Sequence, residues 1–206
     1  MSEVTRSTEA TSAVAAAYAA RRRQSQPTGW WGMALFVATE ATLFGTVIAT
    51  YFYLRFKSAQ WPAPGVEPPD VALPLCLAAA LVATSVPMLL AARAASGGRR
   101  AAAVRLILLA LLVQGGYLAV QVILFKRDLG DFSPRDSAYG SIYFTMLGLH
   151  HAHVVVGMLL SLGIVVKLLG GLTNYRVIGV SAVALYWYVM GALAVLVVLT
   201  QLSPSL

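Results

Sequence analysis

Five long stretches of almost uninterrupted apolar residues divide the chain, and the polar residues are concentrated between them. The stretches run approximately over 30–54, 71–92, 104–125, 141–166 and 177–202. Each is long enough to cross a hydrocarbon layer of roughly 30 Å, which takes about 20 helical residues. A backbone in lipid must satisfy its own hydrogen bonds, so each stretch is predicted to be a helix. The pattern predicts an all-α integral membrane protein, a bundle of five transmembrane helices.

The remaining segments leave no room for a second folded domain. Residues 1–29 are rich in Ser, Thr, Ala and Gln and contain three consecutive arginines, so they are predicted to be a flexible cytoplasmic tail. Residues 30–206 form the predicted membrane domain. The first connection holds Trp61 and four prolines and the third holds Gly130 and Pro134, so both are predicted to be short ordered loops outside the membrane.

Lysine and arginine are distributed unevenly between the two sides of this bundle. The tail and the second and fourth connections carry them in excess, whereas the first and third connections balance theirs with Asp and Glu. Cytoplasmic loops carry the excess of basic residues. The N-terminus is therefore predicted to be cytoplasmic and the C-terminus periplasmic, which agrees with an odd number of spans.

The composition supports the membrane prediction and limits the chemistry. The chain is 59% apolar and only 11% charged, which is too apolar for one soluble core. Its formal charge of +7 sits in short clusters between apolar stretches, not along one face, so nucleic acid is not a predicted partner. The single cysteine, Cys76, excludes a disulfide within the chain and a thiolate metal cage, and we expect it to be an inert packing residue.

Glu40 lies near the middle of the first predicted span. A carboxylate there costs several kcal/mol unless it is protonated, hydrated or paired, so a group outside this helix is expected to receive it. One interpretation is a neutral glutamic acid that is hydrogen-bonded inside the bundle. The other is a functional carboxyl beside a route for protons or gas. The sequence leaves both interpretations open.

All three histidines fall within four residues of the fourth span. His150 and His153 share a helix face, and His151 points about 100 degrees away. A haem held by two imidazoles needs ligands on opposite sides of its ring, and a three-histidine copper site usually draws on several helices. We therefore predict no metal site in this chain. The imidazoles are expected to bond polar groups on adjacent helices, with Gly148 and Gly157 allowing close helix approach.

Two further polar positions lie on the third span. Gln114 and Gln121 are seven residues apart and hence on one face, where interhelical hydrogen bonding is their expected role. In the second span, Pro87 is deep enough to kink the helix, and Thr84 and Ser85 are placed to bond the carbonyls that a proline frees.

Two strings of residues resemble a known family. Trp31-Gly32-Met33, Phe36, Glu40, Leu43-Phe44 and Tyr51-Phe52-Tyr53-Leu54-Arg55 resemble the first helix of the five-helix bacterial form of subunit III of haem-copper oxidases. The fourth span, with Tyr139-Gly140-Ser141, Tyr143-Phe144, Gly148-Leu149-His150, His153-Val154 and Gly157, is similar to that family's glycine-and-histidine helix. The resemblance covers nearly the whole chain from Trp30 onward.

This resemblance implies a non-redox subunit III of cytochrome c oxidase in a bacterial inner membrane. It implies subunits I and II as partners, haem and copper in the partner catalytic subunit and none on this chain, and phospholipid between the helices. It also implies that Glu40 is the family's membrane-buried carboxyl, and that the subunit supports assembly, stability, proton uptake and protection of the catalytic centre.

The chain departs from the family pattern at two places, and other functions stay open. Leu124 stands where a glutamate is common, and Tyr186-Trp187-Tyr188-Val189-Met190-Gly191 lacks the usual His and Asp of the last helix. A quinol oxidase subunit or an accessory subunit of a nitric oxide reductase would share the fold. From another class, a small proton-coupled transporter would use Glu40 as its proton carrier.

Overall fold

The five predicted spans are present as long helices. The computed structural model describes residues 27–67 and 70–204, so the predicted tail lies almost wholly outside the described residues. The helices are α1 (Thr28–Lys57), α2 (Ala72–Ala83), α3 (Ser85–Ser96), α4 (Arg100–Asp131), α5 (Ala138–Leu169) and α6 (Asn174–Leu202). The described residues contain no strand, and α2 and α3 together make one span. The prediction of an all-α bundle with five membrane-spanning helices is confirmed.

Most of the helices extend past the apolar stretches into polar sequence. The clearest case is α4, which continues through charged residues to Asp131 before Phe132 adopts an extended backbone. Two helices begin at side-chain caps that satisfy a free backbone N–H. Ser137 Oγ accepts from Gly140 N at 3.0 Å before α5, and Thr173 Oγ1 accepts from Arg176 N at 3.3 Å before α6.

The second span is broken at Thr84, three residues before Pro87. Proline has no N–H to donate to the carbonyl of Ala83, so the helical hydrogen-bond ladder is interrupted there. Thr84 Oγ1 donates to the carbonyl of Leu81 at 2.7 Å, which keeps one carbonyl near the break satisfied. The predicted kink is confirmed, and α2 and α3 are its two arms.

Four of the helices form a closed ring. α2 packs against α4, α4 against α5, α5 against α6, and α6 against α2. Outside this ring, α1 packs against α5 and α6, while α3 continues the kinked span against α4 and α6. The central helix is α6, which is the most buried, and α1 is the most exposed.

Cys76 on α2 is exposed, so the prediction that it is a packing residue is wrong.

At the end where α1, α4 and α6 finish, here called the C-terminal end, the connection after α1 is held by aromatic contacts. Trp61 Nε1 donates to Tyr51 Oη at 3.0 Å, and the Trp61 ring lies 5.0 Å from that of Tyr139. Arg55 Nη1 donates to Ser203 Oγ at 2.6 Å, which joins α1 to the end of α6. That this end is periplasmic stays a prediction.

The two glycines expected to allow close helix approach behave differently. A Cβ on Gly157 would lie 2.7 Å from Tyr186 Cε1 and 2.8 Å from Trp187 Cζ2, so α6 rests directly against the bare backbone of α5. A Cβ on Gly148 would meet nothing within 4 Å. The prediction is confirmed for Gly157 and wrong for Gly148, because Gly148 turns away from the neighbouring helices.

Candidate functional site

Glu40 is paired with His153 across the contact between α1 and α5. Glu40 Oε2 lies 2.5 Å from His153 Nε2, and each side chain is 13% exposed. Both residues lie near the middle of their helices. The sequence predicted that another helix receives Glu40, and that helix is α5.

The hydrogen bonds of His153 fix how many protons the pair holds. His153 Nδ1 lies 2.7 Å from the carbonyl oxygen of Leu149, and a carbonyl only accepts, so Nδ1 carries a hydrogen. In a neutral imidazole Nε2 is then bare, and its contact with the carboxyl requires a proton between them. Within the described part of the chain, Glu40 Oε2 has no other hydrogen-bond partner. The pair is therefore either an acid with a neutral imidazole or a carboxylate with an imidazolium, and it is neutral in both forms.

Aromatic rings enclose this pair. Phe44, one turn beyond Glu40, is fully buried, and its ring lies 5.3 Å from that of His153 and 6.3 Å from that of His150. Tyr186 on α6 donates its hydroxyl to the carbonyl of His153 at 2.7 Å. These contacts fix the His153 backbone and ring from two sides, so the pair is held by α1, α5 and α6 together.

His150 belongs to a second hydrogen-bonded group, between α5 and α4. Tyr117 Oη lies 3.1 Å from His150 Nε2 and accepts from Gln121 Nε2 at 3.2 Å. Because the tyrosine oxygen already accepts, its own proton is available to His150 Nε2. In this arrangement neutral His150 carries its hydrogen on Nδ1, which is buried and has no hydrogen-bond partner. His150 and His153 thus bond different neighbouring helices.

Replacing Tyr117 by phenylalanine should lower the free energy of unfolding by about 1–3 kcal/mol, the cost of leaving buried polar groups unpaired. The change removes only the hydroxyl and strands both Gln121 Nε2 and His150 Nε2. Unfolding in mixed detergent micelles would measure the loss. Tyr53→Phe, on an exposed tyrosine of α1, is the control and should be neutral; equal stability of both variants would contradict the hydrogen-bonding described.

Gln114 ties α4 to the break in the second span. Its Nε2 donates to Thr84 Oγ1 at 3.2 Å, and both side chains are buried. Gln114 and Gln121 therefore lie on one face of α4, as predicted. Gln114 bonds across to the second span, as expected. Gln121 instead bonds Tyr117 of its own helix, so the expected interhelical hydrogen bond is not found for Gln121, which reaches α5 only through Tyr117 and His150.

The polar groups do not converge on a common point. His151 packs its ring 5.8 Å from Phe125, and its Nε2 has no hydrogen-bond partner. Within residues 27–67 and 70–204, no group of three or more His, Cys, Asp or Glu side chains is placed to hold a metal ion. What the arrangement offers chemically is a proton shared between Glu40 and His153 and a hydrogen-bonded chain through Tyr117.

Sequence reasoning missed several of these partners. Thr84 was expected only to bond carbonyls at the kink, and neither Tyr117 nor Ser161 was assigned a hydrogen-bond partner. Trp187 Nε1 donates to Ser161 Oγ at 2.9 Å in the core between α5 and α6. A usable signal existed for Tyr117, which lies three residues after Gln114 and four before Gln121 and so shares their face.

The sequence matches that of a known family over most of its length. The family described as "Cytochrome c oxidase subunit III" matches residues 13–201. The chain is 28% identical over 163 residues to "Cytochrome c oxidase subunit 3" of Bacillus subtilis (strain 168), which covers 78% of this chain and 77% of that relative. It is 26% identical over 162 residues to "Quinol oxidase subunit 3" of Bacillus spizizenii, which covers 78% of each.

The animal relatives are longer. The chain is 27% identical over 165 residues to "Cytochrome c oxidase subunit 3" of Gallus gallus, covering 77% of this chain. The match covers only 62% of that relative, so this chain spans less than two thirds of the animal protein.

Proposed function

The chain belongs to the cytochrome c oxidase subunit III family, and from this membership we propose that it is a non-redox third subunit that supports the catalytic subunit of a haem-copper oxidase. The support proposed is assembly, stability and proton uptake. The chain is a multi-pass membrane protein, and we place it in a bacterial inner membrane as part of an aerobic electron-transport complex. Its proposed partners are subunits I and II, and the haem and copper belong to them.

The observation that carries the proton part of this proposal is the Glu40–His153 pair. It holds one shared proton in the middle of the bundle, on the most exposed helix, α1. A carboxyl and an imidazole can exchange that proton without leaving a net charge in the membrane, because the pair is neutral in both forms. Glu40 is thus the proposed functional carboxyl, while His150, Gln114 and Gln121 hold the helices in register.

A groove at the opposite end of the bundle supports the proposal that phospholipid binds. It has a volume of about 290 Å³ and lies where α1 and α6 begin and α5 ends. Its walls are mainly apolar, and Lys167 on α5 lines it. An acyl chain fits the apolar wall, and a lipid phosphate fits the lysine. The apolar and basic lining residues include Met33, Leu160, Ile164, Lys167, Ile178 and Val183.

The electron donor of the complex has two candidates. Relatives of similar identity are named cytochrome c oxidase subunit 3 and quinol oxidase subunit 3, so the family match favours neither. A quinol oxidase is therefore the second candidate function. The relatives named above include no nitric oxide reductase subunit and no transporter.

Purification of the tagged chain from gently solubilised membranes tests the proposal. The expected result is co-purification of a catalytic subunit with a reduced-minus-oxidised haem spectrum, with no haem left on this chain after it is separated. Turnover of the preparation with reduced cytochrome c or with quinol identifies the donor, and mass spectrometry of extracted lipids tests for retained phospholipid. A chain that arrives alone and colourless from well-preserved membranes would refute the oxidase proposal.

A further inference from the structure

A cavity of about 560 Å³ opens at the C-terminal end of the bundle, inside the ring formed by α2, α4, α5 and α6. Its rim comprises the connection after α1 and the polar end of α4, and its deeper wall includes Gln121 and Leu147. The size lies within the range of ~300–1,000 Å³ typical of pockets that hold small molecules. Neither the Glu40–His153 pair nor the lipid groove uses this cavity.

The charge of the lining is strongly unbalanced. Among the described residues, four carboxylates and one guanidinium, that of Arg127, line the cavity. A concave site lined by one sign of charge concentrates ions of the opposite sign. The four carboxylates belong to Glu67, Asp70, Asp128 and Asp131.

The other lining groups favour an organic cation over a compact metal ion. Phe132, Tyr139 and Tyr143 also line the cavity, and aromatic rings attract organic ammonium groups. Tyr143 Oη donates to Asp128 Oδ2 at 2.8 Å, which joins an aromatic ring to a carboxylate. In the described part of the chain the carboxylates do not converge as the ligands of a metal would.

A buried amide without a partner gives a second, independent indication of a ligand. Gln201, near the end of α6, lines the cavity and is 7% exposed, and its Nε2 has no hydrogen-bond partner among the described residues. Buried amide groups are normally hydrogen-bonded, so an unpaired one in a cavity wall needs a partner. An amide has both a donor and an acceptor, so Gln201 can bond either kind of polar group.

We propose that this cavity is a binding site for a small organic ammonium ion that enters from the aqueous phase at the C-terminal end of the bundle. The carboxylates attract the cation, the aromatic rings contact its alkyl groups, and Gln201 bonds its polar substituent. The site ends at Gln121, whose amide begins the hydrogen-bonded chain to Tyr117 and His150.

Cysteine labelling in the intact complex tests the site with a probe that is itself a quaternary ammonium ion. With Cys76→Ser as background, Leu124→Cys places a thiol on the half-buried wall of the cavity. The cationic reagent trimethylammonium-ethyl methanethiosulfonate should label this thiol about tenfold faster than the anionic sulfonato-ethyl methanethiosulfonate. Each labelling rate is first divided by the rate of the same reagent with a free thiol in solution. Tetramethylammonium should slow the labelling, and the uncharged analogue neopentyl alcohol should not.

Two matched controls separate the cavity from its surroundings. Ile123→Cys lies at the same depth of α4 but is 67% exposed on the outside of the isolated chain, and it should show no protection by tetramethylammonium. Asp131→Asn should lower the preference for the cationic reagent, whereas Asp136→Asn, on a carboxylate outside the cavity, should leave it unchanged.

Equal rates for the two reagents, no labelling of Leu124→Cys, or labelling that tetramethylammonium fails to slow would each overturn the proposal. Labelling measures access to the cavity and needs no oxidase turnover. A failure of the cation-site proposal is therefore distinguishable from a failure of the proposed oxidase function.

Discussion

Replacing Gly157 by alanine should lower the free energy of unfolding by about 3–5 kcal/mol, a large effect for one methyl group. The added Cβ would lie 2.7 Å from Tyr186 and 2.8 Å from Trp187, far inside van der Waals contact. Overpacking of this kind typically costs about 1–3 kcal/mol. The rest of the expected loss comes from the two rings, which are not free to move.

Each ring is held at its polar end by a hydrogen bond to α5. Tyr186 donates to the carbonyl of His153, and Trp187 donates to Ser161 Oγ. Both rings are almost completely buried, so a shift that accommodates the methyl group leaves a donor unpaired, at about 1–3 kcal/mol. Because His153 also holds Glu40, the shift would disturb the proton-sharing pair.

The control is Gly148→Ala on the same helix. A Cβ there meets nothing within 4 Å, and alanine is the better helix former by up to about 1 kcal/mol. We expect this variant to be as stable as the parent or slightly more stable. Unfolding in mixed detergent micelles compares the two. If Gly157→Ala were as stable as Gly148→Ala, the close contact of α5 and α6 would be contradicted.

The helices are predictable from the sequence because a segment that crosses a membrane has to be helical to satisfy its backbone hydrogen bonds. Unbroken apolar length is a strong signal, and a backbone in lipid has few alternatives to a helix. Pro87 likewise marks the kink through a local effect, the missing N–H. Helix ends are less predictable, since α4 continues through charged residues to Asp131, where hydropathy no longer guides the assignment.

Partners across helices are harder to predict, because they depend on how each helix is rotated and which neighbours it meets. The sequence shows that Glu40 needs a partner and that His150 and His153 share a face. It does not show that His153 turns toward α1 while His150 turns toward α4. Gly148 illustrates the same limit, since its type suggests contact but its position on α5 turns it away from a neighbour.

The cavity at the C-terminal end was not predicted for a related reason. Two of its carboxylates lie in the connection after α1 and two at the end of α4, and at both places the sequence indicates only a charge balance with nearby basic residues. The ring of α2, α4, α5 and α6 brings Glu67 and Asp131 to one space. Leu124, noted in the sequence as a departure from the family pattern, lines the same space.

Removing either member of the Glu40–His153 pair should cost about 3–5 kcal/mol, because the remaining polar group is left in the membrane interior without its partner. Glu40→Leu strands His153 Nε2, and His153→Leu strands Glu40 Oε2. The double variant has neither stranded group, so its loss should be smaller than the sum of the two single losses. A double-mutant cycle on unfolding free energies measures this coupling; strictly additive losses would show that the two residues do not interact.

Glu40→Gln separates the structural role of the pair from its proposed role with protons. The amide N–H of glutamine can donate to His153 Nε2, so the hydrogen bond survives and the fold should be as stable as the parent. The shared proton is gone, however, because an amide does not exchange it as a carboxyl does. If Glu40 serves proton uptake, the oxidase complex with Glu40→Gln should lose activity faster during sustained turnover.

The infrared spectrum gives the state of the pair directly. A carboxylic acid C=O band that disappears in Glu40→Gln identifies the acid with neutral imidazole, and a carboxylate band in its place identifies the ion pair. Tyr53→Phe on α1 controls for a nonspecific change in that helix. Equal durability of turnover in Glu40→Gln and the parent would restrict Glu40 to packing. If the turnover activity decays faster while the free energy of unfolding is unchanged, the cause is the lost proton alone, since the contact with His153 is retained.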